Sequence, residues 1–371
     1  MRGWFCATLD ANGAEAALAA MGAAPVAARN GLALGLVPDG CQSAVFHAEG
    51  LVAAGPVTLF NRGELRRRLC GDGVGLPEDC ADGTLLLHLY ARYGAARLTP
   101  VDGMFAVAIL DGEELVLARD HAGARTLFYA RAGGDRAASA SLRALRAWPR
   151  LAARLNLNAV RAFLTFAYLP GEETLLEDVY EARPGRCLRL RAGGVCYEEE
   201  FWEPREGAWN ADDLPESRAR GLRALLEEAV AARLPAGQPV GVFLSGGIDS
   251  SLVTALAARL HQHPVRTYAI NFGGDLPNEL AYSGLVAAHC RTAHTVLTFE
   301  GRRIAEHLAM LRRPRAPADA RSARRAARRA AAGTARGAVP RIAPYDRLPQ
   351  PPAVHQPPHQ GRTTSCPRSS V

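Results

Sequence analysis

The twelve residues Val240-Gly241-Val242-Phe243-Leu244-Ser245-Gly246-Gly247-Ile248-Asp249-Ser250-Ser251 constrain this chain more than any others. An apolar strand runs straight into a turn of glycines and hydroxyls, and Leu252 to Leu260 continues with helical spacing. Gly246 and Gly247 permit backbone angles closed to other residues and leave no side chain in the way. Consecutive N–H groups then converge on an anion at the positive end of the following helix. Ser245, Ser250 and Ser251 add hydroxyls. A lone glycine and serine in a strand-to-helix turn serve structure often enough. The complete string points to phosphate, and the absence of Gly-Lys-Ser/Thr separates it from the Walker loop.

Composition bounds the rest. A length of 371 residues with 48% hydrophobic and 22% charged content is that of a soluble globular chain with two domains. No apolar stretch approaches the roughly 20 residues that span a bilayer, and no basic segment followed by a long apolar core opens the chain. The expected location is the cytoplasm, without a membrane partner. The eight cysteines include no Cys-x-x-Cys pair and no histidine at zinc spacing, which suits reduced, structural thiols. Cys187 and Cys196 stand at hairpin distance, although a cytosolic setting argues against a disulfide.

The net charge of +7 divides unevenly. Residues 311–371 carry 13 arginines against Asp319 and Asp346, a net of +11, so residues 1–310 carry 31 arginines and 35 acids, a net of −4. The basic end offers only Tyr345 for stacking and no regular stripe, so nucleic acid is not an expected partner.

Along the chain, residues 4–195 read as short strands with a few helices. Leu32–Val37, Gly50–Asn61, Met104–Leu110 and Glu114–Asp120 are predicted strands. Glu64–Cys70 and Thr84–Tyr93 are predicted helices, the latter capped by Asp82 or Thr84. The pattern predicts an α/β sandwich of mostly antiparallel character. A polar, proline-punctuated connector follows, Phe201 to Pro215. Beyond it come an amphipathic helix over Leu222–Leu234, a buried strand over Val240–Leu244, a helix over Leu252–Leu260 and a strand over Val265–Phe272. That βαβ order implies a parallel sheet with the phosphate loop at a strand's carboxyl end. Trp148 and Phe163 to Tyr168 read as core or interdomain packing, His88 as a packed or surface histidine, and His261 and His263 as residues suited to a helix C-terminus.

Past Leu311, Ala, Arg, Pro and Gln dominate, and such text is not expected to fold by itself. The chain uses arginine with no lysine, as GC-rich coding favours, and off-frame reading of such DNA also yields Arg, Pro, Ala and His. Residues from about 312 onward therefore read as a disordered linker or as a frameshifted, non-native end.

Three stretches resemble the asparagine synthetase family over residues 40–310. Val101-Asp102-Gly103-Met104-Phe105-Ala106-Val107-Ala108 resembles the family's Asp-Gly-Met-Phe-Ala strand. Leu117 to Tyr129, beginning Leu-Ala-Arg119-Asp120-His121, resembles its Arg-Asp-x-x-Gly-x-x-Pro-Leu-Tyr-Tyr segment. The third is the phosphate loop, matching the Ser-Gly-Gly-x-Asp-Ser-Ser of ATP pyrophosphatases. It is extended by Tyr268-Ala269-Ile270-Asn271-Phe272, by Asn278-Glu279-Leu280-Ala281-Tyr282-Ser283 and by His294.

The resemblance implies an α/β fold with an N-terminal Ntn-type antiparallel sandwich over 1–200, of the glutamine amidotransferase type 2 kind. A linker over 201–216 and an incomplete parallel-sheet ATP pyrophosphatase domain over 217–311 follow. It implies ATP and Mg²⁺ as cofactors, with Leu244, Ser245, Gly246, Gly247, Asp249, Ser250, Ser251 and Ile270 around the pyrophosphate and Asp249 near the metal. The implied reaction adenylates a carboxylate, aspartate or a related acid, and yields an amide, AMP and pyrophosphate. The substrate is then a small-molecule or peptide carboxylate, and a homodimer is among the assemblies the resemblance allows.

The chain departs from the family's first half. The glutaminase nucleophile is a cysteine at the start of the mature chain, whose α-amino group serves as base. Cys6 follows Met1 to Phe5 and reads as a buried structural cysteine instead. Pro56, Val57 and Thr58 stand where Asn-Gly-Glu holds glutamine, so glutamine binding is expected to be lost; Asp102 alone matches the acid that grips the α-amino group. Degenerate glutaminases of this kind occur in β-lactam synthetase and lasso peptide cyclases, where an amine of the substrate attacks the adenylate. After His294 nothing matches the family's Ser-Gly-Glu-Gly-x-Asp loop. Weak or absent synthetase activity is therefore expected, and a non-catalytic nucleotide-binding remnant is the contrasting reading.

Overall fold

A computed structural model describes residues 5–10, 13–37, 43–191, 196–204, 215–272 and 279–298. The expectations for Asn278, for most of the connector (205–214) and for 312–371 lie outside the described residues. By its contacts the chain divides into Met1–Asn271 with Pro277–Leu297 and a second unit, Phe272–Leu276 with Thr298–Val371; of the latter only Phe272 and Thr298 are described.

The N-terminal half opens with β1 (Phe5–Leu9), α1 (Ala14–Ala20), β2 (Ala24–Arg29), β3 (Leu32–Leu36), β4 (Ala44–Ala48), β5 (Leu51–Gly55) and β6 (Val57–Leu59). Helices α2 (Arg62–Gly71) and α3 (Asp82–Tyr93) come next, then β7 (Gly103–Asp111), β8 (Glu114–Arg119), β9 (Phe128–Ala132) and β10 (Asp135–Ser139). The half closes with α4 (Leu142–Arg146), α5 (Leu157–Phe166), β11 (Val179–Glu181), β12 (Arg186–Arg191) and β13 (Cys196–Glu200). One sheet runs β11-β9-β10-β1-β3-β2 and the other β13-β12-β8-β7-β5-β4, with β6 also on β7. Every ladder with a recorded register in these two sheets is antiparallel.

The residue pattern of β7 explains why two sheets stack. Ala106, Ala108 and Leu110 join Leu34, Leu117 and Leu190 in the core between the sheets. Phe105, Val107 and Ile109 point the other way, into a core with Leu65 of α2 and Leu89 of α3. Successive strand residues face opposite sides. An unbroken apolar run is therefore a strand covered on both faces. A third core lies outside the other sheet, where Cys6, Ala33 and Ala137 meet Leu18, Leu145 and Trp148. The half is thus a four-layer sandwich of helices, sheet, sheet and helices.

The C-terminal half comprises α6 (Pro215–Arg233), β14 (Gly241–Phe243), α7 (Ile248–Leu260), β15 (Arg266–Asn271), α8 (Leu280–His289) and β16 (Ala293–Thr298). Its sheet has the order β14-β15-β16, and β14 pairs with β15 in parallel. The fold class, an antiparallel α/β sandwich followed by a partial parallel sheet, is the expected one.

Several local expectations change. Gly50–Asn61 is two strands, because Pro56 lacks an N–H and Gly55, at φ 156, lets β5 approach β7 so closely that a Cβ there lies 2.1 Å from the Ala106 carbonyl oxygen. Neither Asp82 nor Thr84 caps α3: the cap residue is Ala81, and the Asp82 carboxylate instead accepts from the Leu59 N–H at 2.9 Å and pairs with Arg62. Helix α6 starts at Pro215 and buries no residue. The strand expected to be buried at Val240–Leu244 is a three-residue sheet edge with Phe243 75% exposed. Trp148 is core, whereas Phe163, Phe166 and Tyr168 are exposed, since α5 buries only Ala159. Cys187 is a free, buried thiol opposite Glu199, while Cys196 stands opposite Leu190.

Candidate functional site

The loop expected to bind phosphate, residues 244–251, sits at the carboxyl end of β14. Leu244, fully buried, closes the strand by donating its N–H to the Tyr268 carbonyl at 2.8 Å. The chain then turns through Gly246 at φ 104, a backbone conformation suited to glycine. A Cβ on Gly246 lies 2.7 Å from the Glu279 carbonyl oxygen and 3.0 Å from the Ser283 nitrogen. The absence of that atom lets the start of α8 close on the loop, so two helix N-termini meet around Gly246. Gly247 is the N-cap of α7, and no side chain caps that terminus. The first turn of α7 thus presents backbone N–H groups without a side-chain cap at the positive end of the helix dipole.

The hydroxyls are bonded within the loop. Ser245 Oγ lies 3.0 Å from Ser250 Oγ and accepts from the Gly247 N–H at 3.3 Å. Ser251 Oγ and Ser250 Oγ donate to the Gly247 carbonyl at 2.7 and 3.2 Å. Asp249 is exposed in the first turn of α7, and Ile270 stands exposed near the end of β15. Among the described residues no three His, Cys, Asp or Glu side chains form a metal-binding group. Asp249 therefore suits Mg²⁺ only as an ion brought with phosphate oxygens, the usual arrangement for magnesium. His294, on β16, lies 2.9 Å by Nδ1 from Thr267 Oγ1, and burial holds its pKa below the usual histidine value.

In the N-terminal half, Cys6 is enclosed between β10 and β3, with Ser139 and Gly35 opposite it. Its thiol donates to Ser139 Oγ at 3.6 Å, and burial pushes its pKa up to about 12. Asp102 lies in the turn before β7, its carboxylate 3.3 Å from the Arg233 guanidinium of α6. A cavity of about 400 Å³ opens beside them, lined in part by Thr99, Met104, His121 and Trp202. The Arg119-Asp120 pair has a structural task. Buried Asp120 accepts the N–H groups of Phe105, Ala122, Ala124 and Arg125 at 2.9–3.2 Å. Arg119 donates to the carbonyls of Ala182, Gly123 and Arg125 and pairs with Glu181 at 2.8 Å.

Two known domains match the chain in this order: the glutamine amidotransferase domain over residues 32–202 and asparagine synthase over 221–333. In both halves the chain thus resembles the asparagine synthetase family. The asparagine synthase match runs past Leu311, so likeness to the family does not stop there. The carboxyethyl-arginine beta-lactam-synthase of Streptomyces clavuligerus is 33% identical over 242 residues, 65% of this chain and 43% of that protein. The glutamine-hydrolyzing asparagine synthetase 3 of Bacillus subtilis is 28% identical over 227 residues, 58% of this chain and 35% of that protein. The chain thus spans less than half the length of these relatives. Among solved structures, a Bacillus subtilis glutamine phosphoribosylpyrophosphate amidotransferase covers 80% of each chain at 14% identity with a TM-score of 0.38, a likeness too low to bear on function. Among the described residues no helix is long and apolar enough to cross a membrane.

Sequence reasoning named the loop and Asp102 but missed the contact that Arg233 makes with Asp102. The two are 131 positions apart, and no local spacing signals such a pair.

Proposed function

We propose that the chain binds Mg²⁺-ATP through residues 244–251 and Ile270 and acts in carboxylate adenylation, the first half of amide formation in the asparagine synthetase family. The observation that carries this reading is the uncapped N-terminus of α7 directly after Gly246, whose missing side chain lets the start of α8 close on the loop. Backbone N–H groups there would hold the phosphates of a bound ATP, and Asp249 would stand beside its metal ion. ATP supplies the activated phosphorus; this chain's part is to fix the leaving pyrophosphate so that a carboxylate oxygen reaches the α-phosphate.

The burial of Cys6 favours one branch of the reading. A thiol enclosed in a sheet, with its pKa raised to about 12, is not a poised nucleophile. We therefore favour a substrate amine, rather than ammonia released from glutamine, as the group that attacks the adenylate. The likeness to a β-lactam synthase supports that branch. Carboxylate-dependent exchange of labelled pyrophosphate into ATP, screened over aspartate and other amino-acid and peptide carboxylates, tests it. Exchange without glutaminase activity is the expected outcome, and glutamine hydrolysis lost in Cys6→Ala contradicts the amine branch.

A further inference from the structure

Helix α6 carries the C-terminal half's contact with Asp102 at its last residue. Arg233 Nη1 donates to the Ala229 carbonyl at 2.9 Å and closes the helix end, while Nη2 reaches Asp102 Oδ1 at 3.3 Å. The guanidinium carbon lies 4.1 Å from the centroid of the Phe60 ring. Its two targets form one braced patch. The Phe60 N–H donates to the Asp102 carbonyl at 2.8 Å, and the Asp102 N–H donates to Asn61 Oδ1 at 3.0 Å. Asn61 in turn donates to the Pro100 carbonyl at 2.8 Å. On the other side, Glu227 of α6 pairs with Arg259 of α7, and α7 begins at the phosphate loop.

We propose that Arg233 is a positioning residue, a latch fastening α6 to the Phe60–Asp102 patch so that the N-terminal sandwich sets the place of α7 and its loop. The planar guanidinium suits the task, because it stacks on the ring and points a donor at the carboxylate at once. The consequence at the loop rests on the nucleotide reading above. The latch itself does not.

The test is hydrogen exchange on the full chain with Arg233→Gln, Asp102→Asn and the double variant, alongside Mg²⁺-ATP affinity. Each single variant is expected to speed exchange of the amides at 228–233 by about three- to tenfold, the scale of one exposed ion pair with a ring contact. The double variant should exchange no faster than the faster single one, since both remove the same contact. Nucleotide affinity should fall severalfold in all three, and Arg233→Lys should restore part of both effects. Unchanged exchange in the single variants, or additive effects in the double one, overturns the latch. Faster exchange in a chain whose wild type binds no nucleotide leaves the latch standing and sinks the nucleotide reading.

Discussion

The N-terminal half wraps two sheets in helices and builds three apolar cores. The C-terminal half leaves large apolar side chains exposed on its strands and helices. Among the described residues none from 215–298 enters those cores. Phe243 on β14, Ile248 on α7, and Tyr282 and Leu285 on α8 are each more than 60% exposed. The half with the packing encloses Cys6 in its core, and the half with the loop at residues 244–251 has little packing of its own. Stability and the proposed nucleotide binding therefore fall in different stretches of the chain, and substitutions should separate them.

The largest effect belongs to the sandwich. Phe105 is fully buried and stacks on Phe201 with ring centroids 6.4 Å apart, so Phe105→Ala should cost about 3–5 kcal/mol in chemical denaturation. A cost under about 1 kcal/mol would erase the contrast between the halves. Leu256, on α7 and 5% exposed, should cost less when cut to alanine, about 2 kcal/mol, because its surroundings leave room to relax.

How far the sequence disclosed this follows the range of each signal. Strands β7 and β8 were legible because a short apolar run has few other places to go, and the loop was legible because its glycines and hydroxyls are consecutive. Asp82 was misread as a cap because its partner Leu59 lies 23 positions earlier, brought near only by the fold. The exposure of Phe243 and α6 was also hidden: a hydrophobic pattern marks which face wants cover and not whether cover arrives.

Cys6 offers a pH-dependent test. Its folded pKa of about 12 exceeds the unfolded value near 9, so its contribution is complete below about pH 9 and is lost as pH rises toward 12. By pH 10 the folded chain should lose about 1 kcal/mol that a Cys6→Ala variant does not lose. Parallel pH curves for the two proteins would show that Cys6 is not enclosed. The smallest effect lies on α6, where Leu222→Gln, at a site 58% exposed, should change stability by less than about 0.5 kcal/mol. A clear destabilisation there would mean that this face is covered after all.

The most direct measurement is calorimetric titration of Mg²⁺-ATP into the full chain and its Gly246→Ala variant. Binding by the wild type is expected, weakened at least tenfold by the single added methyl that meets Glu279, with the unfolding of the N-terminal sandwich unchanged. No heat with wild type, or equal affinity in both proteins, contradicts the assignment of residues 244–251 as the nucleotide's phosphate site.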